Sequence, residues 1–195
     1  MVKKIYLTSE DLHNDAFKLA QQILNSGFRP KIIIALWRGG TPIGIAGQEF
    51  LDHYGKTESD HIAIRTSSYS GIENQSRQVK IHGLSYLIKN INRDDPLLIV
   101  DDVYDTGKTI EALINELKLK CRKNTPEDIR VAVPWYKPAR NETDREPDYF
   151  IHTTKEWIKF PFSLEGLTVD EIKQNRPAIY DIIKPALDHE RITPE

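Results

Sequence analysis

The chain has 195 residues, with 27 Lys+Arg against 29 Asp+Glu, a formal net charge of −2, 39% hydrophobic and 29% charged residues. That length and apolar content suffice for one compact domain with a substantial core, and the near-balanced charge argues against a sequence-independent binder of nucleic acid or anionic membrane. The single cysteine, Cys121, excludes an intrachain disulfide framework and a multi-cysteine metal site, and it fits a reducing cytoplasm.

Behind Lys3 and Lys4 there is no apolar stretch, and no run approaches the roughly 20 apolar residues of a membrane span, so neither secretion nor membrane insertion is expected. From Thr8 to Asn25, Leu12, Ala16, Leu19, Ala20, Ile23 and Leu24 recur with a helical period, with Thr8 or Ser9 as N-cap and Gly27 beyond the end. Lys31 to Trp37 is a β-branched apolar run; Gly39-Gly40 follows, then a helix opening at Pro42. His61 to Arg65 alternates like a strand, whereas polar Thr66 to Gln78 reads as a long loop.

Leu97 to Val100 is a second continuous apolar run, followed by an Asp-rich turn and a helix from about Thr109 to Lys120. Ile129 to Val133 and Tyr149 to Ile151 are further strands. Thr168 to Glu171 has the pattern of a capping box opening a C-terminal helix that Pro177 and Pro185 interrupt. Apolar strands alternating with helices predict an α/β fold with a mostly parallel central sheet flanked by helices. In such a fold ligands bind beyond the carboxyl ends of the strands, which puts Arg38-Gly39-Gly40 and Asp101 to Thr109 on one rim.

Carboxylates at Asp101 and Asp102, where a buried strand ends, suit two tasks: accepting hydrogen bonds from a sugar diol and holding Mg²⁺. Thr106-Gly107-Lys108-Thr109 then enters a helix whose free N–H groups favour a phosphate. A Walker A loop is a poor match, because GxxxxGK(S/T) requires glycine at position 102, where the chain has Asp102. On local pattern alone, the segment also fits a plain helix-capping turn with Thr106 as cap.

Val100 to Thr109 closely resembles the phosphoribosyl-pyrophosphate (PRPP) motif of type I phosphoribosyltransferases, although Tyr104 is bulkier than the residue often found there. The resemblance implies that fold, with a small hood formed mainly around residues 137–165 and a C-terminal helical tail from about residue 168, the whole of 1–195 being one domain. It implies that Asp101 and Asp102 face the ribose hydroxyls and Mg²⁺, that Tyr104, Asp105, Thr106, Gly107, Lys108 and Thr109 wrap the 5′-phosphate, and that Asp105 is the catalytic group beside the imidazole half of the base.

Arg38 and Gly39 stand where the family has its pyrophosphate loop, with a cis peptide expected at Trp37-Arg38. Ser68, Tyr69 and Arg77 match the loop that closes over PRPP. Lys137 in Val133-Pro-Trp-Tyr-Lys-Pro138, and Trp157-Ile158, are similar to the base-binding hood of 6-oxopurine enzymes of the xanthine-guanine and hypoxanthine type, and Asp148-Tyr-Phe-Ile151 fits the same pattern. One departure is that Lys159-Phe160-Pro161-Phe162 contains no acid where some relatives carry carboxylates for the exocyclic group of the base or a second metal.

The implied activity is purine salvage: PRPP and hypoxanthine, guanine or xanthine yield the nucleoside monophosphate and pyrophosphate, in a cytoplasmic homo-oligomer, dimer or tetramer, with no nucleic-acid or membrane partner. The alternatives are a PRPP-sensing regulator of the same fold and a phosphoribosyltransferase for another base. Lys137 and Trp157 separate these readings, since a sensor needs no purine-selective hood. His13, His53, His61, His82, His152 and His189 show no metal-ligand spacing.

Overall fold

A computed structural model describes residues 3–69 and 78–190. Strand β1 (Lys4–Tyr6) leads into helix α1 (Ser9–Asn25), which begins in a capping box between Thr8 and Asp11 and is followed by Gly27 at φ +82°. Strand β2 (Ile32–Trp37) and helix α2 (Gly40–Gly55) follow, α2 starting two residues before Pro42.

Next come β3 (Asp60–Tyr69), β4 (Gln78–His82), α3 (Ser85–Asn90), β5 (Leu97–Val100), β6 (Val103–Tyr104), α4 (Lys108–Cys121), β7 (Ile129–Tyr136), β8 (Tyr149–Thr153), β9 (Trp157–Lys159), α5 (Val169–Asn175) and α6 (Pro177–Glu190). Pro177 separates the two tail helices, but α6 runs through Pro185 without stopping.

The main sheet has the order β4-β3-β2-β5-β7-β6, with β8 on the far edge of β7, and only the β3–β4 pair is antiparallel. Alternation along the strands divides the core. Ile33, Leu98, Val100 and Ala132 pack under α1 and α2, while Ile32, Ile34, Leu97, Ile99, Val131 and Val133 pack against Leu87 of α3 and Leu113 and Leu117 of α4. β1 and β9 form a separate two-stranded parallel sheet.

The segment Thr66 to Gln78, expected as loop, is partly sheet: β3 continues to Tyr69 and pairs back from Gln78, in the register Arg65↔His82 to Tyr69↔Gln78. Its polar side chains hide the strand, because an edge hairpin is held by main-chain bonds and does not need an apolar face. Within residues 137–165, β8 belongs to the main sheet, and the small sheet takes its second strand from the beginning of the chain.

β5 and β6 follow one line along β7, for Leu97↔Ile129, Val100↔Ala132 and Val103↔Trp135 keep a single register. The ladder breaks between them. Asp101 donates its N–H to the Ala132 carbonyl at 3.2 Å, and a continued ladder would have residue 134 donate to the Asp101 carbonyl. Pro134 has no N–H to give. The chain therefore turns out of the sheet at Asp101-Asp102 and rejoins at Val103.

Among the described residues no helix is long and apolar enough to cross a membrane. Leu113 is fully buried on the inner face of α4. Leu113→Ala is expected to cost about 2–5 kcal/mol, read as a lower denaturation midpoint at unchanged m-value.

Candidate active site

The interrupted ladder leaves Asp101 and Asp102 half-buried at the sheet's carboxyl edge, where Asp101 Oδ1 accepts the Asp102 N–H at 2.9 Å. Burial and the adjacent Asp102 charge push the Asp101 carboxyl well above the usual carboxylate range. Burial pushes Asp102 up to about 6. Two carboxylates so placed call for a counter-charge.

The glycine loop after β2 meets this turn directly. A Cβ on Gly39 would lie 1.9 Å from Asp102 Oδ2, and one on Gly40 would lie 2.3 Å from the Val100 carbonyl oxygen. Only glycine lets the two loops close together. The peptide Trp37-Arg38 is cis, as the resemblance implied, and Arg38 is exposed at the rim. The Thr41 hydroxyl, at the start of α2, is buried without a hydrogen-bond partner among the described residues; it is a donor that the sequence reading overlooked.

Asp101 to Gly107, with Thr109 and Ile110, line a cavity of about 220 Å³ ahead of α4. Gly107 is the residue before the helix, at φ +79°, so the predicted cap at Thr106 is displaced by one residue. A Cβ there would come within 2.5 Å of Thr143 Oγ1 and 2.8 Å of Tyr104 Oη. This explains the bulky Tyr104, whose ring is buried edge-on to Tyr136 and whose hydroxyl donates to the Arg145 carbonyl at 2.8 Å. Tyr104 supports the turn from beneath and has only its backbone to offer a phosphate. The Lys108 ammonium likewise turns away to pair with Glu142, leaving the start of the helix as its share of the cradle.

A second cavity, of about 430 Å³, shares Asp102, Val103 and Asp105 with the first and extends to Lys137, Trp157, Ile158, Lys159, Phe160, Ser163, Glu165 and Gly166. Asp105 stands between the two, with Lys137 Nζ 3.3 Å from Oδ2 and Arg140 Nε 2.5 Å from Oδ1. Lys137 is buried and directs its ammonium over the Trp157 ring, 5.4 Å from the centroid. Ile158 points to the α1 side of the core, so the alternation of β9 places Trp157 and Lys159 on the opposite face. Lys159 Nζ lies 5.7 Å from the same ring and donates to the Glu165 carbonyl at 2.8 Å.

Most predicted residues thus meet on one rim. Ser68 and Tyr69 fall in β3 rather than at a loop tip, and Arg77 lies outside the described residues. Arg140, Lys159 and Glu165 were missed. Lys159 was legible from its period-two spacing to Trp157, and Glu165 brings an acidic residue to a wall where residues 159–162 have none. Among the described residues no group of three or more His, Cys, Asp or Glu gathers to hold a metal.

Residues 5–167 match the model of the phosphoribosyl transferase domain. The chain belongs to this family. It is 31% identical over 169 residues to a xanthine-guanine phosphoribosyltransferase of Desulfotalea psychrophila, covering 84% of this chain and 89% of that protein. It is 28% identical over 166 residues to a hypoxanthine-guanine phosphoribosyltransferase of Streptococcus pyogenes, covering 84% and 86%. The crystal structure of a purine phosphoribosyltransferase from Pyrococcus horikoshii superposes with a TM-score of 0.64 at 28% identity, covering 85% of this chain and 97% of that one.

The raised Asp102 carboxyl makes ionisation of the pair unfavourable to folding. The folded value, about 6, exceeds the ordinary value of about 4, so the native state is favoured below pH ~4 and loses this contribution as pH rises through ~6. Asp102→Asn is therefore expected to raise the melting temperature of the metal-free protein at pH 8 by a few degrees, about 1–2 kcal/mol, with the gain vanishing near pH 4. Calorimetry at both pH values checks the sign.

Proposed function

We propose that the protein transfers the 5-phosphoribosyl group of PRPP to a 6-oxopurine, releasing pyrophosphate, in purine salvage. The observation that carries this is the junction of the two cavities: a phosphate cradle and a base pocket meeting at Asp102, Val103 and Asp105. Thr106 to Thr109 at the start of α4 would hold the 5′-phosphate, Asp101 and Asp102 the ribose diol, and Arg38 with the Gly39-Gly40 backbone the pyrophosphate. This reading also takes Ser68, Tyr69 and Arg77 as the groups that cover PRPP.

The adjacent, charge-strained Asp101 and Asp102 are a suitable donor set for Mg²⁺, which when bound neutralises the leaving pyrophosphate. The purine stacks on Trp157, and Lys137 donates to its 6-oxo group. A nitrogen of the imidazole half attacks the anomeric carbon as the bond to pyrophosphate breaks, and Asp105 takes the imidazole proton that the base gives up. Lys137 and Arg140 fix where that carboxylate stands. Bringing both reactants to one junction lowers the barrier by positioning them.

In this reading 1–195 is one domain with a hood and a tail, working in the cytoplasm as a homo-oligomer. The lone Cys121, and exposed Trp37, Ile45 and Tyr54, support those last two points.

Incubation with PRPP, Mg²⁺ and hypoxanthine, guanine, xanthine, adenine or uracil separately is expected to release pyrophosphate with the 6-oxopurines only. Release with none of the five would favour the PRPP-sensing alternative. Asp105→Asn is expected to retain PRPP affinity while lowering kcat by about 100-fold or more, measured by equilibrium binding and initial rates. Unchanged turnover would remove Asp105 from the proton-accepting role.

A further inference from the structure

The family match ends at residue 167, yet the helices beyond it are tied to the base pocket. Glu171, the third residue of α5, receives Lys4 Nζ and, at 3.1 Å, Tyr6 Oη. Both donors lie on β1, the strand that pairs alongside β9, with Lys4 opposite Trp157.

Arg176, at the end of α5, is 9% exposed and meets no carboxylate within ion-pair distance among the described residues. Its guanidinium instead gathers four carbonyls of one short segment: Nη1 donates to Pro161 at 3.2 Å and Ser163 at 2.6 Å, Nη2 to Lys159 at 3.2 Å and Phe160 at 2.5 Å.

That segment is a wall of the larger cavity, to which Lys159, Phe160, Ser163, Glu165 and Gly166 all contribute. It leaves β9 and forms no ladder of its own, its internal main-chain bonds being Ser163 N–H to Phe160 at 3.0 Å and Leu167 N–H to Leu164 at 3.2 Å. Four carbonyls converging on one point repel each other; Leu7 N–H also donates to Lys159 at 3.1 Å and Ser163 N–H to Phe160, and the guanidinium is the group that reaches all four. The planar guanidinium does this with fixed geometry, whereas an ammonium offers a point charge with three rotatable donors. Burying a cation without a carboxylate is costly, and an apolar side chain would serve mere packing better. The same wall is pinned from inside by Lys159, whose ammonium reaches the Glu165 carbonyl.

We propose that Arg176 is a positioning residue for the base pocket: from the end of a helix beyond the matched residues 5–167 it fixes the 159–163 backbone, and thereby the wall against which the purine is held. It touches neither substrate nor the reacting atoms. Its removal would loosen purine binding while sparing the PRPP half of the site, which stands on β5, α4 and the β2 loop. The proposal rests on the reading of the larger cavity as a purine pocket.

The test uses the full chain with Arg176→Lys and Arg176→Ala, read by initial rates and by hydrogen exchange. Both variants are expected to raise the purine KM by about tenfold or more while the PRPP KM and the kcat at saturating purine stay within about twofold. Amide exchange should quicken across 159–167 and remain unchanged across 97–121. Millimolar guanidinium should restore purine KM in the alanine variant, where equal sodium chloride does not. If the alanine variant fails to fold, the lysine variant is decisive alone. A purine KM within about twofold of the native value, or purine and PRPP KM rising together, overturns the proposal. Should the native protein consume no purine, the proposed function fails, and exchange still decides whether Arg176 holds the wall: unchanged exchange across 159–167 sinks it.

Discussion

The site depends on one missing hydrogen-bond donor. Residue 134 has no N–H, so the bond that would continue the ladder from β5 toward β6 is absent, and Asp101 and Asp102 lie outside the ladder. Pro134 withholds that bond, and the register is the same on either side. The chain leaves the sheet for two residues, and both are aspartates.

From that break the rest of the rim follows. Asp102 fills the space where any side chain at position 39 would go, so the glycine loop and the aspartate turn are mutually fitted. Crowding two carboxylates at a half-buried edge is unfavourable to the fold, and it raises the protonation of both. Below the turn, Tyr104 and the 141–145 segment brace Gly107 in its left-handed conformation, so that the following helix presents its free N–H groups to the smaller cavity.

The wall of the larger cavity is built differently. Trp157 and Lys159 sit on a two-stranded sheet, and such a sheet is marginal alone. It is supported from two directions: Ile158 in the α1 core, and the tail through Glu171 and Arg176. Polar and ionic ties replace apolar area there, which suits a wall that must hold its shape around a cavity.

Much was determined by the sequence alone. The apolar runs at Ile32 to Leu36 and Leu97 to Val100, the helical period before Asn25, and the resemblance around Asp101 to Thr109 marked the parallel sheet and its rim, because local burial and turn chemistry leave their pattern in consecutive residues. The pattern in Lys137 and Trp157 pointed to a base pocket. Only the tertiary structure decided what depends on residues distant in the chain. It turned Tyr104 into a support and Lys108 toward Glu142, made β3 and β4 a hairpin from polar residues, and brought Arg140 to Asp105 and Arg176 to Lys159. Such contacts are chosen by which elements pack together, and a guanidinium that serves four carbonyls 13 to 17 positions away has no local signature.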